Sequence, residues 1–126
     1  MSYLLHGIHI AYQASLIRSA KRFQSMLASP DKIQNEKLFA TLHKNRQSSY
    51  GKEHQFGNIQ SLKDFQKNVP IVDYDDISGW IERICAGENN VLTAESVIML
   101  EPSGGSTATS KFIPYTKSLL SEFSAA

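Results

Sequence analysis

The residues with the clearest chemical potential form a loop of small and hydroxylated side chains near the end of the 126-residue sequence. The loop follows an apolar run, and its candidate ligand-contacting residues are Ser103, Gly104, Gly105, Ser106, Thr107 and Lys111. Glycines let the backbone approach an anion, and successive backbone N–H groups form an anion-binding concavity. Hydroxyls add donors and the lysine adds a positive charge. The pattern predicts a cradle for phosphate groups. The alternative is a strand-to-strand turn built from small residues.

Two better-known phosphate motifs do not match this loop. The Walker A motif ends in Gly-Lys-Ser/Thr, whereas Lys111 follows Ser110. The dinucleotide fingerprint needs a third glycine at a spacing that the loop lacks. No residue in or around the loop has the setting of a nucleophile or a general base, so we predict no catalytic side chain in this chain.

Composition limits the classes of partner. The net charge of +1 gives no electrostatic reason to expect nucleic acid or an anionic membrane. The single cysteine, Cys85, excludes an internal disulfide and fits a reducing compartment, so we expect a cytoplasmic protein. Polar residues such as His6, Gln13 and Arg18 interrupt the apolar N-terminal runs, which argues against a signal peptide or a membrane span.

The first 50 residues predict two helices. Apolar side chains recur at helical spacing over residues 3–28, namely Leu5, Ile8, Tyr12, Leu16, Phe23 and Leu27. Ser29-Pro30-Asp31 is a typical helix start, and the second helix is expected over residues 30–47 with Gly51 in a left-handed conformation after it. We predict that residues 1–50 form an antiparallel helical hairpin.

The pattern of residues 51–126 predicts an α/β arrangement. Residues 51–95 are expected to hold connecting helices, one capped by Ser61 and one with acids in its first turn, starting at Asp73. Residues 96–126 are expected to form a buried strand over 96–100, the phosphate loop, an extended arm from Lys111 and a last helix capped by Thr116.

Two groups of side chains have spacings that a metal could use. His6 and His9 lie one helical turn apart, and Asp73, Asp75 and Asp76 fall within four residues. The histidines have no third ligand in view, and acids at a helix start more often serve as caps. We therefore predict no metal site on these residues.

The order of short motifs resembles the start of the GH3 auxin-responsive family. These motifs are Tyr50-Gly51-Lys52, Phe65 to Pro70, Tyr74-Asp75-Asp76, Ile81-Glu82-Arg83, Gly87-Glu88, Val91-Leu92-Thr93, the Ser-Gly loop with Lys111, and Ile113-Pro114. The loop itself is similar to the hydroxyl-rich phosphate loop of the adenylate-forming superfamily. Ala108 stands where that loop usually has glycine.

The resemblance implies a fold and an activity. GH3 proteins are acyl-acid amido synthetases with an adenylate-forming fold. They activate a carboxylic acid with ATP and Mg²⁺ as an acyl-adenylate and pass the acyl group to an amine, often an amino acid. By this resemblance Ser103, Gly104, Gly105, Ser106 and Thr107 would donate to ATP phosphates, and Lys111 would be an electrostatic partner or anchor the loop.

Length sets a further expectation. GH3 proteins are several times longer, so the resemblance implies an N-terminal portion that is inactive alone. Its partners in the whole enzyme would be a small carboxylic acid and an amine. The alternatives are a short helical protein-interaction module with a vestigial loop and a small phosphate-binding domain. Because an isolated strand pair is marginal in water, we expect self-association or disorder around residues 91–115.

Overall fold

The computed structural model describes residues 2–103 and 111–124. Within this part, the helices are α1 Ser2–Leu27, α2 Pro30–Asn45, α3 Ser49–Glu53, α4 Leu62–Asn68, α5 Tyr74–Cys85 and α6 Lys117–Ser124. A 3-10 turn covers Phe56–Asn58, and the strands are β1 Val97–Ser103 and β2 Lys111–Thr116. The chain divides into two compact units at Leu38/Phe39. Among the described residues, the predicted α/β character is present only as one two-stranded sheet among helices.

The first unit contains α1 and the start of α2. The prediction of a helix over residues 3–28 is confirmed to within one residue. Large apolar side chains along α1 are at least half exposed, namely Ile8, Ile10, Tyr12, Leu16, Ile17, Phe23 and Leu27. The antiparallel packing of the first two helices stays a prediction.

The second unit has a small apolar core. Its buried hydrophobic side chains come from α2, α5 and the segments that follow the 3-10 turn and α5, namely Leu42, Ile59, Ile81, Ile84 and Val91. Val91 is 1% exposed, and its carbonyl accepts a hydrogen bond from the backbone N–H of Tyr50 at 3.0 Å. This bond joins the segment before β1 to α3.

Gly51 is not the left-handed residue that the sequence predicts, because Ser48 starts a new helix there. The Ser48 hydroxyl accepts a hydrogen bond from the Gly51 N–H at 3.0 Å and caps α3. Gly51 is buried in that helix, and a Cβ atom built on it would lie 2.1 Å from the carbonyl oxygen of Asn45. The glycine is needed for close backbone approach, whereas left-handed angles occur at Gln55, Gly87 and Asn90.

Three predicted helix caps are confirmed. The Ser61 hydroxyl accepts from the N–H of Asp64 at the start of α4, and Thr116 Oγ1 accepts from the N–H of Leu119 in α6. Asp73 and Asp76 form a reciprocal capping box at the start of α5. Two of the three acids at this helix start, Asp73 and Asp76, thus accept hydrogen bonds from backbone N–H groups, as the capping interpretation requires.

The two strands pair in antiparallel fashion, with Ser103 opposite Lys111 at the loop end and Val97 opposite Thr116 at the other end. β1 extends three residues beyond the predicted end at Leu100. The prediction that this strand is buried is wrong in the described part of the chain, because Ile98 is 57% and Met99 43% exposed. An apolar run alone does not reveal whether anything covers a strand.

Candidate functional site

The two strands hold both ends of the predicted phosphate loop together. Ser103 is the last residue of β1 and Lys111 the first of β2, and they are partners in the ladder. Antiparallel partners have Cα atoms about 4.5–5.5 Å apart. A hydroxyl and an ammonium group therefore start from the same end of the hairpin. The predicted contact residues Gly104, Gly105, Ser106 and Thr107, and the divergent Ala108, lie outside the described residues.

Lys111 turns toward the start of α5. Its Nζ lies 5.0 Å from the centroid of the Tyr74 ring and 3.9 Å from Oδ1 of Asp75. The Lys111 side chain is 41% exposed and that of Asp75 is 85% exposed. Ion pairs this well solvated contribute only about 0.2–1 kcal/mol, and an exposed cation–π contact adds about 0.5–1 kcal/mol. The ion pair and the cation–π contact are each weak, and together they favour one position of the Lys111 ammonium group.

Tyr74 also holds the backbone of β2. Its hydroxyl accepts a hydrogen bond of 2.8 Å from the N–H of Phe112, across 38 residues of sequence. The ladder partner of Phe112 is Pro102, which has no N–H to offer. This pair is therefore of the type that exchanges no hydrogen bonds, and the Phe112 N–H points away from β1. Tyr74 satisfies a donor that would otherwise lie on an open strand edge.

A cleft of about 410 Å³ lies between α5 and the start of β2. It is lined by Tyr74, Asp75, Ser78, Ile81, Glu82, Cys85, Lys111 and Phe112. Its walls combine two carboxylates, a single ammonium group and an exposed thiol with apolar carbon. Lys111 therefore lines a cleft whose walls contain both charged and apolar groups.

Glu101, two residues before Ser103, has a contact within the sheet. A hydrogen bond from Tyr115 to the Glu101 carboxylate raises the pKa of the Tyr115 hydroxyl. The two residues belong to β1 and β2. The Glu101 carboxylate is thus paired across the hairpin.

Several of the short family-like motifs have structural roles in the second unit. Arg83 donates from Nε to Glu88 at 2.8 Å and from Nη2 to the Ser49 hydroxyl at 3.1 Å. Its guanidinium also lies 4.9 Å from the ring centroid of Trp80, against which Tyr50 packs edge-on. These contacts join α3 to α5. They orient the helix whose first residues contact β2.

The structure also bears on the two groups of side chains whose spacing could suit a metal. Residues 2–103 and 111–124 contain no group of three or more His, Cys, Asp or Glu side chains placed to hold a metal ion. None of the helices in the same ranges has both the length and the apolarity that crossing a bilayer requires.

Sequence reasoning did not identify Tyr74 and Asp75 as neighbours of Lys111. The local pattern Asp73-Tyr74-Asp75-Asp76 predicts a helix start but no distant partner, because capping signals act within three or four residues. The contact depends on the path of the chain between α5 and β2. No local pattern indicates it.

Comparison with known proteins agrees with the motif order. Residues 19–126 match the model of the GH3 family N-terminal domain. An indole-3-acetic acid-amido synthetase, GH3.15 of Arabidopsis thaliana, is 35% identical over 95 residues, or 74% of this chain and 16% of that protein. A jasmonoyl–L-amino acid synthetase, JAR4 of Nicotiana attenuata, is 26% identical over 102 residues, or 79% of this chain and 18% of that protein.

The fold agrees as well. The solved structure described as AtGH3.15 acyl acid amido synthetase in complex with 2,4-DB superimposes with a TM-score of 0.69 and 33% identity. The superposition covers 75% of this chain and 17% of that chain. The present chain thus spans about a sixth of the length of the relatives that it matches. Since the family model accounts for most of its residues, the chain belongs to the GH3 family and corresponds to the N-terminal part of its acyl acid amido synthetases.

Proposed function

We propose that this chain supplies the ATP-phosphate loop of an acyl-acid amido synthetase of the adenylate-forming type. The observation that carries the proposal is the match of residues 19–126 to the N-terminal domain of a family whose named relatives are amido synthetases. The pairing of Ser103 with Lys111 supports it, because a hydroxyl and a cation flank the loop at one end of the sheet. Both groups suit a phosphate oxygen.

The proposed reaction has two steps. The carboxylate of the acid attacks the α-phosphorus of ATP, and pyrophosphate leaves. An amine then attacks the acyl carbon, so that an amide forms and AMP leaves. Phosphoryl chemistry of this kind depends mainly on positioning and on stabilising developing charge.

The loop residues have distinct proposed roles in the first step. Ser103, Gly104, Gly105, Ser106 and Thr107 would donate from backbone and hydroxyl groups to phosphate oxygens, and Lys111 would add a positive charge. Mg²⁺ would bind with the phosphates. We assign it no ligand among the described residues.

The relatives' names suggest the substrate class. They include synthetases named for indole-3-acetic acid and for jasmonoyl–L-amino acids. We propose a small carboxylic acid with an apolar body and an amino acid as the two substrates. We further propose that the 126 residues alone bind phosphate without turnover, because they match only 16–18% of those enzymes.

The exposed apolar surface of α1 favours a second candidate function. Ile8, Tyr12, Leu16 and Phe23 are each at least half exposed, so this helix could associate with another protein. In that case the chain would be a helical interaction module and the loop would be vestigial.

The deciding experiment starts from the protein as its own cells make it. An antibody against residues 39–95 would isolate it, and intact mass would be measured before ATP–pyrophosphate exchange. Indole-3-acetate, jasmonate and 2,4-DB would be tested as acids. We expect a mass several times 14.1 kDa and acid-dependent exchange.

The recombinant 126-residue chain is the matched control, and we expect it to show no exchange. A native mass near 14.1 kDa without exchange would contradict the synthetase proposal and favour the interaction module. Exchange by the recombinant chain alone would contradict the proposed need for further residues.

A further inference from the structure

We propose that Tyr74 and Asp75 are positioning residues for Lys111: Tyr74 holds it at the loop, and Asp75 releases it to phosphate. The inference rests on the proposed function, because its ligand is the polyphosphate chain of a nucleoside triphosphate. Neither residue needs to touch that ligand. Both would act through the position of the Lys111 ammonium group.

Tyr74 makes two contacts with consecutive residues of β2. Its hydroxyl accepts from the Phe112 N–H at 2.8 Å, and its ring centroid lies 5.0 Å from Lys111 Nζ. The first contact fixes the backbone next to Lys111, and the second attracts its ammonium group. Because Tyr74 is the first residue of α5, the start of β2 is tied to a helix whose own start is fixed by a capping box.

Asp75 holds the ammonium group only loosely. Its Oδ1 is 3.9 Å from Lys111 Nζ, which is at the limit for an ion pair, and its side chain is 85% exposed. A single solvated carboxylate is a weak competitor for a cation, whereas a polyphosphate carries several charges and offers many acceptor oxygens. Asp75 would therefore pair with the Lys111 ammonium group until a bound phosphate replaces it.

This arrangement predicts opposite effects for two conservative changes. Tyr74→Phe keeps the ring but removes the acceptor for Phe112, so the β2 backbone should loosen and phosphate should bind more weakly. Asp75→Asn keeps the shape but removes the competing charge, so phosphate should bind more tightly. A purely structural role for Asp75 would not strengthen binding.

The test titrates the 126-residue chain with inorganic tripolyphosphate, at a concentration low enough for sedimentation velocity to show the monomer, and follows the amide resonances of Ser103, Lys111 and Phe112 by NMR. For Asp75→Asn we expect an affinity about two- to four-fold higher at low salt, and no gain at ~0.5 M salt, where charges are screened. For Tyr74→Phe we expect faster hydrogen exchange at the Phe112 amide and an affinity about three- to ten-fold lower.

Matched controls separate these effects from net charge. Asp31 is also an acid in the first turn of a helix, so Asp31→Asn makes the same charge change in the other unit. Tyr12→Phe, on α1, controls for removal of a tyrosine hydroxyl. Equal affinities for Asp75→Asn and Asp31→Asn would overturn the role of Asp75. Unchanged Phe112 exchange in Tyr74→Phe would overturn that of Tyr74.

A different result is expected if the proposed function itself is wrong. In that case the unsubstituted chain shows no tripolyphosphate-dependent shift at Ser103 or Lys111, and the release of Lys111 to phosphate is overturned with it. If the unsubstituted chain binds and only the comparisons between variants fail, the phosphate loop is retained and the positioning roles are rejected.

Discussion

At the scale of single residues, Gly51 and Lys111 each have surroundings that are set by a different element of the fold. Gly51 lies where a Cβ atom would meet the Asn45 carbonyl oxygen at 2.1 Å. Lys111 lies between an aromatic ring and a carboxylate that are both supplied by α5. Each of these environments leads to a prediction.

We expect Gly51→Ala to lower the free energy of unfolding by at least about 1–3 kcal/mol, because a backbone carbonyl cannot move aside as a flexible side chain can. Gly79 is the matched control, since it lies inside α5 and a built Cβ would meet no atom within 4 Å beyond its chain neighbours and the backbone of its own helix. Gly79→Ala should stabilise the chain by about 0.5–1 kcal/mol, because alanine loses less backbone entropy in a helix. Urea denaturation of both variants measures the difference, and equal effects would contradict the close approach.

Lys111→Ala should raise the KM for ATP in pyrophosphate exchange about ten-fold or more, because a charge-assisted contact with phosphate is lost. The change would be made at the native gene, so that the protein is tested as its cells produce it. Lys63→Ala, at an exposed position in α4, makes the same charge change away from the loop. A KM that is equal in the two variants would remove Lys111 from the phosphate site.

At the scale of elements, Glu95 connects three parts of the second unit. Its Oε1 accepts from the backbone N–H of Ser118 at 2.9 Å, at the start of α6. Its Oε2 accepts from Lys44 Nζ, near the end of α2, at 2.5 Å. These contacts, with the Lys44 hydrogen bond as the largest cause, lower the pKa of Glu95 to about 2.

The lowered pKa predicts how stability depends on pH. Because the folded pKa lies below the ordinary value of 4.5, the contribution of Glu95 is fully present above about pH 5 and is lost as the pH falls toward 2. Glu95→Gln should therefore reduce stability at pH 7 and flatten the change between pH 5 and about 2. Urea denaturation at several pH values measures both. Parallel pH profiles for the two proteins would show that the carboxylate contributes nothing.

At the scale of the whole molecule, much apolar surface is exposed in both units. α1 carries it in the first unit, and Ile98, Met99 and Ile113 carry it on the two-stranded sheet of the second. A sheet of two strands is marginal in water, and an open edge can pair with another chain. In the second unit, the backbone bonds of Ser49 and Tyr50 to Asn90 and Val91 secure the segment before the sheet.

We therefore expect the recombinant chain to self-associate through its sheet. Sedimentation velocity should show species heavier than 14.1 kDa whose fraction grows with concentration. Ile98→Lys should raise the monomer fraction, because it places a charge on the exposed strand. Ile71→Lys is the control, since Ile71 is fully exposed but lies outside the sheet. A chain that is monomeric at all concentrations would contradict the expected self-association. Slow amide exchange across residues 91–115 in that monomer would also contradict the predicted alternative, which is disorder in this segment.

The sequence by itself determined the features that depend on neighbours along the chain. Helical periodicity predicted α1, cap residues predicted the starts of α4, α5 and α6, and the order of short motifs indicated the GH3 family. These signals act over three or four residues, or are read directly as a pattern of residue types.

The tertiary structure alone decided the rest. The bond from Phe112 to Tyr74 spans 38 residues and the pair Lys44–Glu95 spans 51, so both depend on how the chain folds back between elements. The need for glycine at position 51 and the exposure of β1 were also decided there. Whether a backbone approaches closely, or a strand is covered, depends on which atoms the fold brings together, and no local pattern of residues records that.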